Sequence, residues 1–407
     1  MINESILESR KYNQRNKMLN VIRTGEDVSR NDLKKITSYS MTTVLSTVDE
    51  MIKDRLVIEE ECSDARVGRR PIWLRLNPGG GYFVGLEFNR IQMHCVVLDF
   101  AGKLIYDNTY TLEKDDTKAK FVIEMIKTMI HKALDFLKDK NGTVFGIGLG
   151  VPGYNDKSRG IAISYSHVEG WENIPIKRIV EEEFHIPCYM CNNVDVMIYA
   201  YKWLIYQGKC EDMLFISIRT GVHLIPIINN QAVSSRYGFP GELGHVKVAG
   251  GSRLCACGRY GCLNSEISDV AIINRISEGI RVGRFKEIAD AVNNDTDQVT
   301  MALFLDSVRK GHEDSVRLLE QIKIFLGDTL SMLVNIFAPG KIVLYGALAE
   351  LGELLLDDLH EYVFRNVVKE NTKDLQIVAS EFGRNLGALG AAALVLQEAF
   401  KFVDERI

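Results

Sequence analysis

Apolar residues in the first fifty positions recur at the spacing that places them on one face of a helix. Ser29 and Ser40 are suitable N-caps for two short helices, of which the first ends at Ile36. The inward-facing positions are Met18, Leu19 and Ile22 in a preceding helix and Val44, Val48 and Met51 in the last one. Two short helices joined by a tight turn predict a helix-turn-helix, whose second member can enter the major groove of DNA.

The exposed face of that second helix is predicted to carry short hydroxyl-bearing or apolar side chains, which suit base edges and phosphates. The candidate DNA contacts on it are Ser40, Met41, Thr42, Thr43, Ser46 and Thr47. Strand-like stretches at 56–59 and 72–76 follow, so the pattern predicts a winged helix. The loop between them carries Arg66, Arg69 and Arg70, which suit a narrow minor groove. Taken alone, this loop equally fits a solvated hairpin tip.

Beyond a linker at 77–81, strand-like stretches at 82–87 and 93–100 come first, an amphipathic helical stretch at 121–138 and a buried strand-like stretch at 144–151 follow, and another such set begins at Met213. Such an order predicts two α/β lobes. The expected division is a winged helix-turn-helix domain in 1–78, a first lobe in 79–195 completed by a C-terminal helix at about 386–407, and a second lobe in 196–385.

Composition and charge favour a cytoplasmic, multidomain globular protein. The chain has 407 residues, a net charge of −5 and 46% hydrophobic residues. Residues 1–80 carry 14 basic and 12 acidic side chains, which leaves −7 for the remainder, and a basic end on an acidic body suits contact with a polyanion. The sequence shows no signal-peptide pattern and no apolar run approaching ~18 residues, so we expect no membrane segment.

His245 and a following C-x-C-x4-C run bring three thiolates and one imidazole within eighteen residues. The four candidate ligands are His245, Cys255, Cys257 and Cys262. They form a complete tetrahedral set for Zn2+ with no position left for water, which is typical of one structural ion per chain. Gly258 and Gly261 supply the tight turns that such spacing needs. The alternatives are unliganded buried thiols and a zinc-sensing regulator.

The other five cysteines are scattered, as expected for reduced thiols. Among them, Cys188 and Cys191 form a C-x-x-C motif that we interpret as part of a buried core.

The same segment resembles the signature of the ROK family, which comprises sugar kinases and sugar-responsive transcriptional repressors. Residues 241–245 match G-E-x-G-H and residues 255–263 match C-x-C-G-x-x-G-C-L, whereas Asn264 stands where the family has glutamate. The resemblance covers essentially the whole chain and implies an α/β, actin-like, ribonuclease-H-like body of two lobes. Family repressors carry an N-terminal winged helix that its kinases usually lack, so the resemblance implies a repressor.

Segments that the family's kinases use for catalysis are altered in this chain. Residues 87–91 correspond to the first phosphate loop of the family's kinases and contain no glycine. Residues 220–225 correspond to the second phosphate loop and keep one of its four glycines. Asn193 stands where the kinases have their general-base aspartate. An amide does not accept a proton near neutral pH, and side chains occupy the space where backbone amides would approach phosphate. We therefore predict that catalysis is absent.

Carried over by position, the family's sugar contacts fall on polar residues that suit hydroxyl groups. They are His167, Asn192, Asn193, Glu242, His245 and Asn264. The alternative is a vestigial pocket that binds nothing. Trp171 is a candidate for stacking on a sugar, although such a position is more often core.

The sequence thus predicts a sugar-responsive repressor that binds a palindromic operator in double-stranded DNA as a homodimer or homotetramer. The alternative from the enzyme class is an ATP-dependent sugar kinase with a fused DNA-binding domain. A sugar that engages Glu242 and His245 would contact the loop that zinc organises. We expect sugar binding to close the two lobes, and this closure to move the winged helices of a dimer relative to one another.

Overall fold

We describe a computed structural model that covers residues 2–61, 72–113, 116, 118–206, 212–229, 231–233 and 241–401, with side chains from residue 8 onward. The helices are α1 (Ile2–Thr24), α2 (Arg30–Thr37), α3 (Met41–Lys53), α4 (Ala119–Leu137), α5 (Ile176–Phe184), α6 (Met197–Ala200), α7 (Leu263–Ile267), α8 (Asp269–Arg281), α9 (Lys286–Ala291), α10 (Met301–Arg309), α11 (Glu313–Phe337), α12 (Glu353–Asn366) and α13 (Leu386–Phe400). The strands are β1 (Val57–Glu61), β2 (Ile72–Leu76), β3 (Gly81–Phe88), β4 (Gln92–Asp99), β5 (Leu104–Thr111), β6 (Thr143–Val151), β7 (Tyr154–Asp156), β8 (Ile161–Ser164), β9 (Glu172–Ile174), β10 (Cys188–Asn192), β11 (Met213–Ile218), β12 (Val222–Ile228), β13 (Gln231–Ala232), β14 (Lys341–Tyr345) and β15 (Gln376–Ala379).

The chain divides into two compact units. Unit 1 comprises Met1–Lys209 and Asn385–Ile407, and unit 2 comprises Cys210–Arg384. The N-terminal module, the first α/β lobe and the last helix therefore belong to one unit. Residues 196–209, which the sequence assigned to the second lobe, also belong to unit 1, because α6 packs against α13.

Helices α1 to α3 and the β1–β2 hairpin form the module that the sequence predicted. Ser29 caps α2 and Ser40 caps α3, each through its side-chain oxygen. The inward-facing side chains of these helices and of the hairpin make a small core of their own. Its fully buried members include Met18, Leu33, Val44, Val48, Met51 and Leu74. An isolated bridge between Val28 and Leu74 adds a third extended segment to the hairpin.

The lobe of unit 1 is a five-stranded sheet in the order β10-β6-β3-β4-β5, with α13 packed on its central strands. Helix α13 lies unusually close to the sheet, because glycines face it. A Cβ atom on Gly85 would be 2.2 Å from the carbonyl oxygen of Ala388, and one on Gly148 would be 1.9 Å from that of Ala391. The buried strands of this lobe and the amphipathic α4 occupy the positions that their apolar runs predicted.

Unit 2 is built on a second five-stranded sheet, in the order β13-β12-β11-β14-β15. Its core joins the apolar faces of α8, α10, α11 and α12 to the buried side of the sheet. Helix α10 ends at Arg309 and α11 starts at Glu313, since Gly311 between them has a left-handed φ of 75°. No helix among the described residues is both long enough and apolar enough to cross a membrane.

Candidate functional site

The four predicted metal ligands of unit 2 converge. The ligand atoms of His245, Cys255, Cys257 and Cys262 all lie within 4.8 Å of one another. The His245 Nδ1 to Cys255 Sγ distance and the Cys257 Sγ to Cys262 Sγ distance are both 3.7 Å. Two sulfur ligands each ~2.3 Å from a tetrahedral ion would be about 3.8 Å apart. The spacing of the donors therefore fits a zinc ion at their centre.

Tight turns of the metal loop bring the thiols together. Gly258 and Gly261 have φ values of 83° and 75°, in the left-handed region that favours glycine. Hydrogen bonds from Arg259 lower the pKa of the Cys257 thiol to about 6, which favours the thiolate that a metal requires, whereas burial and the neighbouring thiols raise the pKa of Cys262 to about 11. The donor set, its geometry and its turns thus all suit the predicted ion.

Glu242 lies on the other side of the His245 ring. Its carboxylate is 3.9 Å from His245 Nε2, while Nδ1 of the same ring faces Cys255. A metal-ligating histidine commonly directs its second nitrogen towards a carboxylate, which fixes the tautomer of the ring. The Glu242 side chain is about half exposed and remains accessible to a ligand.

Asn264 bridges the metal loop to the segment predicted to replace the second phosphate loop. Its Oδ1 accepts a hydrogen bond of 2.6 Å from the backbone N–H of Val222. Gly244 leaves room for this side chain, since a Cβ there would be 2.2 Å from Oδ1. The amide thus has a structural bond in addition to any contact with a ligand.

The altered phosphate-loop segment of unit 2 is a tight turn from β11 into β12. Val222, Leu224 and Ile225 are buried strand residues, and Val222 pairs with Ile218 across the hairpin. Their side chains belong to the packed sheet, so this part of the backbone is a paired strand instead of a glycine-rich cradle.

In unit 1, Asn193 forms a buried pair with Glu87. The Asn193 Nδ2 donates a hydrogen bond of 3.1 Å to Glu87 Oε1, and both residues are buried. Asn193 N also donates to the carbonyl of Val151, which fixes the backbone at this position. Glu87 is enclosed further by α13, because a Cβ on Gly387 would lie 2.5 Å from its Cγ. The position predicted to correspond to the base of family kinases therefore holds an amide that is hydrogen-bonded to a neighbouring carboxylate.

Two other polar residues of the same segment have internal partners. Asn192 donates to the carbonyl of Gly153 and accepts from the backbone N–H of Val194, at 3.1 and 2.9 Å. The Asp195 carboxylate accepts a hydrogen bond from Lys157 at 3.0 Å, and so has a partner other than the Asn193–Glu87 pair.

His167 is exposed, and its ring meets the edge of the Tyr165 ring at 5.2 Å between centroids. Loss of hydration on one side of the ring, followed by repulsion from Arg90, lowers the pKa of His167 and so favours the neutral imidazole. Trp171 is only 1% exposed and packs edge-on against Phe88 at 5.2 Å. Its indole belongs to the core and is not available for stacking on a ligand.

The N-terminal end of α3 presents most of the predicted DNA contacts. Ser40, Thr42 and Ser46 are exposed, and Met41 and Thr43 are partly exposed. Thr47 is only 9% exposed, and the prediction that it contacts DNA is therefore corrected. Thr47 lies one helical turn from Val44 and from Met51, so its side chain belongs to the buried, apolar face of α3. Leu45, by contrast, is on the outer face of α3 and is 40% exposed.

An ion-pair network holds α3 in the module. Arg30 at the start of α2 contacts Asp49 on α3 at 2.7 Å and Glu59 on β1 at 2.9 Å. The tip of the wing, with Arg66, Arg69 and Arg70, lies outside the described residues.

A contact that sequence reasoning missed joins α1 to the end of α13. Asn16 Nδ2 donates to the carbonyl of Lys401 at 2.8 Å, Asn20 Nδ2 to that of Phe400 at 3.4 Å, and Tyr12 Oη to that of Ala399 at 3.2 Å. The last carbonyls of a helix lack intrahelical partners, and these side chains satisfy them. Their spacing of four residues was the available signal, because it places three polar groups on one face of α1.

The predicted C-x-x-C pair lies in the core of unit 1. Cys188 and Cys191 are buried in β10. Burial raises the pKa of Cys191 to about 11 and that of Cys188 further still, so neither thiol is poised for redox chemistry at neutral pH.

Comparison with known proteins gives consistent matches. Residues 83–398 match the model of the ROK family. The chain is 26% identical to a xylose repressor from Caldicellulosiruptor bescii, over 95% of this chain and 96% of that protein. It is 23% identical to the DNA-binding transcriptional dual regulator NagC of Escherichia coli, over 90% of this chain and 88% of the relative. A solved ROK family transcriptional regulator, homologous to the Escherichia coli MLC protein, superposes with a TM-score of 0.80 at 20% identity, covering 96% of this chain and 97% of that one.

Proposed function

Because this chain belongs to the ROK family, we propose that it is a sugar-responsive transcriptional repressor of carbohydrate-utilisation genes. The predicted family and fold are confirmed by the family match and by the solved regulator. One observation carries the proposal: a winged helix-turn-helix precedes the ROK body, and the alignment with the xylose repressor extends over nearly the whole chain.

The proposed DNA contact uses α3 and the wing. The exposed hydroxyls of Thr42 and Ser46 suit base edges in a major groove, and Arg69 and Arg70 suit the adjacent minor groove. Two such modules in a homodimer or homotetramer would read a palindromic operator in double-stranded DNA.

We further propose that the protein lacks kinase activity. The amide of Asn193 occupies the position of the general base and is bonded to Glu87. Val222, Leu224 and Ile225 are buried side chains where a phosphate cradle needs glycine. Phosphoryl transfer needs both a base and a phosphate-binding loop, so the residue at position 193 and the segment at the start of β12 would both have to change before the protein could act as a kinase.

The proposed zinc ion is structural. His245, Cys255, Cys257 and Cys262 would hold it with all four tetrahedral positions filled by protein, so the ion would clamp the loop and take no part in chemistry. A sugar effector is proposed to contact Glu242, whose half-exposed carboxylate sits beside the ring of a metal ligand. The remaining candidates are His167 and the amides of Asn192, Asn193 and Asn264, of which the amides already make internal bonds.

Operator selection followed by sugar release tests the function. Random double-stranded fragments retained by the full-length protein are sequenced, and the bound set is then challenged with a panel of pentoses, hexoses and N-acetylhexosamines. We expect a palindromic consensus that one class of sugar releases. Parallel incubation with ATP, magnesium and the same sugars should give no phosphorylated product. Robust turnover together with no sequence preference would refute the proposal in favour of a kinase.

Glu242→Ala separates the effector site from the other functions. We expect it to retain bound zinc and operator affinity while losing release by the sugar, because all four proposed metal ligands remain and the carboxylate proposed to contact the effector is removed. Release at an unchanged sugar concentration would place the effector site elsewhere.

A further inference from the structure

A cavity of about 320 Å3 lies within unit 2, between α8 and α11, beside the segment that leads into the metal loop. Four arginines and one glutamate supply its charged lining: Arg253 from that segment, Arg275 and Glu278 from α8, Arg284 before α9, and Arg317 from α11. Its volume is at the small end of the ligand pockets found in proteins.

The floor of this arginine cavity is apolar. Phe285 is 3% exposed, and Leu318 beside it is 4% exposed. The Phe285 ring reaches the surface of α8 because residue 279 is glycine, where a Cβ would lie 2.5 Å from the ring. The cavity therefore combines an aromatic surface with a cationic rim.

Three of the four arginines already have a carboxylate partner. Arg253 makes a two-pronged contact with Glu278, the shorter distance being 2.8 Å, and Arg284 meets Asp314 at 2.8 Å. Arg317 pairs with Glu313 on the exposed first turn of α11. These contacts hold the guanidinium groups around the cavity.

Arg275 is different. It donates to the side-chain oxygen of Gln321 and, at 3.5 Å, to the carbonyl of Glu266, both of which are neutral acceptors. Within the part of the chain that the structure describes, no carboxylate lies within 4.0 Å of its guanidinium. Burial, and then repulsion from Arg253, lowers the pKa of Arg275, and the attraction of the more distant carboxylates of Glu266 and Glu278 offsets this only in part.

We propose that this cavity binds a small phosphorylated metabolite, whose phosphate monoester is held centrally by Arg275 and by the flanking arginines. A guanidinium fork matches the oxygens of a phosphate, and a dianion offers acceptors to several forks at once. The carbon skeleton would lie on Phe285. This site is separate from Glu242 and the proposed sugar effector, and it does not depend on the proposed function.

The cavity is connected to the metal loop by hydrogen bonds. Arg253 donates its backbone N–H to Glu266 at 3.1 Å, and its carbonyl accepts from the N–H of Gly261 at 3.0 Å. An anion that draws Arg253 from Glu278 would therefore act on the loop that carries His245 and Cys255. Occupancy of the cavity would thereby alter the hydrogen bonds that hold the metal loop.

Calorimetric titration of the full-length protein tests the site, with inorganic phosphate, ribose 5-phosphate, adenosine monophosphate and unphosphorylated ribose at matched ionic strength. We expect a monoester to bind at least as tightly as inorganic phosphate, and ribose not to bind. Comparison of ribose 5-phosphate with adenosine monophosphate shows whether the site prefers a sugar phosphate or a nucleotide. Arg275→Gln should weaken binding about tenfold or more, the effect of losing one charge-assisted pair.

Matched variants keep the test decisive. Arg317→Gln, at a largely exposed position, should weaken binding severalfold even if Arg275→Gln fails to fold. Arg365→Gln is the control, because Arg365 is an exposed arginine on α12 that pairs with Glu361 outside the cavity. Glu242→Ala should bind the monoester normally. Equal affinities in all variants, binding of inorganic phosphate alone, loss of binding in Glu242→Ala only, or no binding of any phosphate would each overturn the proposal.

Discussion

Replacing Asn193 with aspartate restores the residue that the family's kinases use as a base, yet in this chain it would place two carboxylates against each other. The Asn193 Nδ2 to Glu87 Oε1 distance is 3.1 Å, and both groups are buried. Two unit charges at that separation repel by about 5 kcal/mol at an effective dielectric constant near 20. Taking up one proton at pH 7 instead costs about 4 kcal/mol for a carboxyl with an ordinary pKa. We therefore expect Asn193→Asp to share one proton with Glu87.

The pH dependence of the variant follows from the sign of this shift. The shared proton raises the pKa of the pair in the folded state above its value in the unfolded chain. The stability of the variant is then fully present below the unfolded pKa and is lost as pH rises towards the folded one. Relative to the unaltered protein, the deficit in unfolding free energy should be about 3 to 4 kcal/mol at pH 7 and should shrink by about 1.4 kcal/mol for each pH unit below that.

Tryptophan fluorescence during urea denaturation measures this deficit in the relevant unit, since Trp73, Trp171 and Trp203 all belong to unit 1. The control is the double variant Glu87→Gln/Asn193→Asp, in which the amide and the carboxylate exchange places and the hydrogen bond is retained. We expect it to recover most of the stability. A deficit that does not vary between pH 5 and pH 8, or a double variant no more stable than the single one, would refute the reasoning. Neither variant should phosphorylate sugars, because the buried strand residues of β12 remain.

The remaining predictions concern the metal loop, the α1–α13 contact and one buried acid. Cys257→Ser should lower bound zinc and the melting temperature, because metal binding is coupled to folding; metal analysis and calorimetry check both, and a melting temperature insensitive to chelation would exclude a structural ion. Asn16→Leu should cost about 1 to 3 kcal/mol in thermal unfolding by leaving carbonyls at the end of α13 without a partner, whereas Gln14→Leu on the same helix should cost little. Burial raises the pKa of Asp269 to about 7, so its contribution to stability is present below about pH 4 and is lost as pH rises to 7. Asp269→Asn should therefore flatten the pH profile of unfolding and melt higher than the unaltered protein above pH 7, and an unchanged profile would contradict this assignment.

Local patterns predicted elements well where one principle decides the outcome. Ser29 and Ser40 cap their helices because a side-chain oxygen at that position satisfies an otherwise unpaired amide. The metal ligands converge because their spacing and glycines leave few other arrangements. Thr47 was misassigned because a hydroxyl suggested exposure, whereas its helical phase relative to Val44 and Met51 buries it.

Contacts between distant segments were not predictable in the same way. The hydrogen bond from Asn193 to Glu87 spans 106 positions, and the one from Asn16 to Lys401 spans 385. Nothing local to Asn16 indicates an acceptor, because that acceptor is created only when α13 ends beside α1. The loss of the base at position 193 could be read from the sequence, but the new partner of the amide could not.

These two contacts lie at opposite ends of one helix, and this gives the unit a physical means of coupling. The N-terminal turn of α13 encloses Glu87 through Gly387, and its C-terminal carbonyls accept hydrogen bonds from Asn16 and Asn20 on α1 of the winged helix-turn-helix module. Glycines at 85 and 148 let α13 pack directly on the sheet, so there is little space in which it can shift independently. A ligand that disturbs the Asn193–Glu87 pair would therefore displace the helix as a rigid element and alter its contact with α1. The hydrogen bond from Asn193 to Glu87 thus lies at one end of a helix whose other end contacts α1 of the winged helix-turn-helix module.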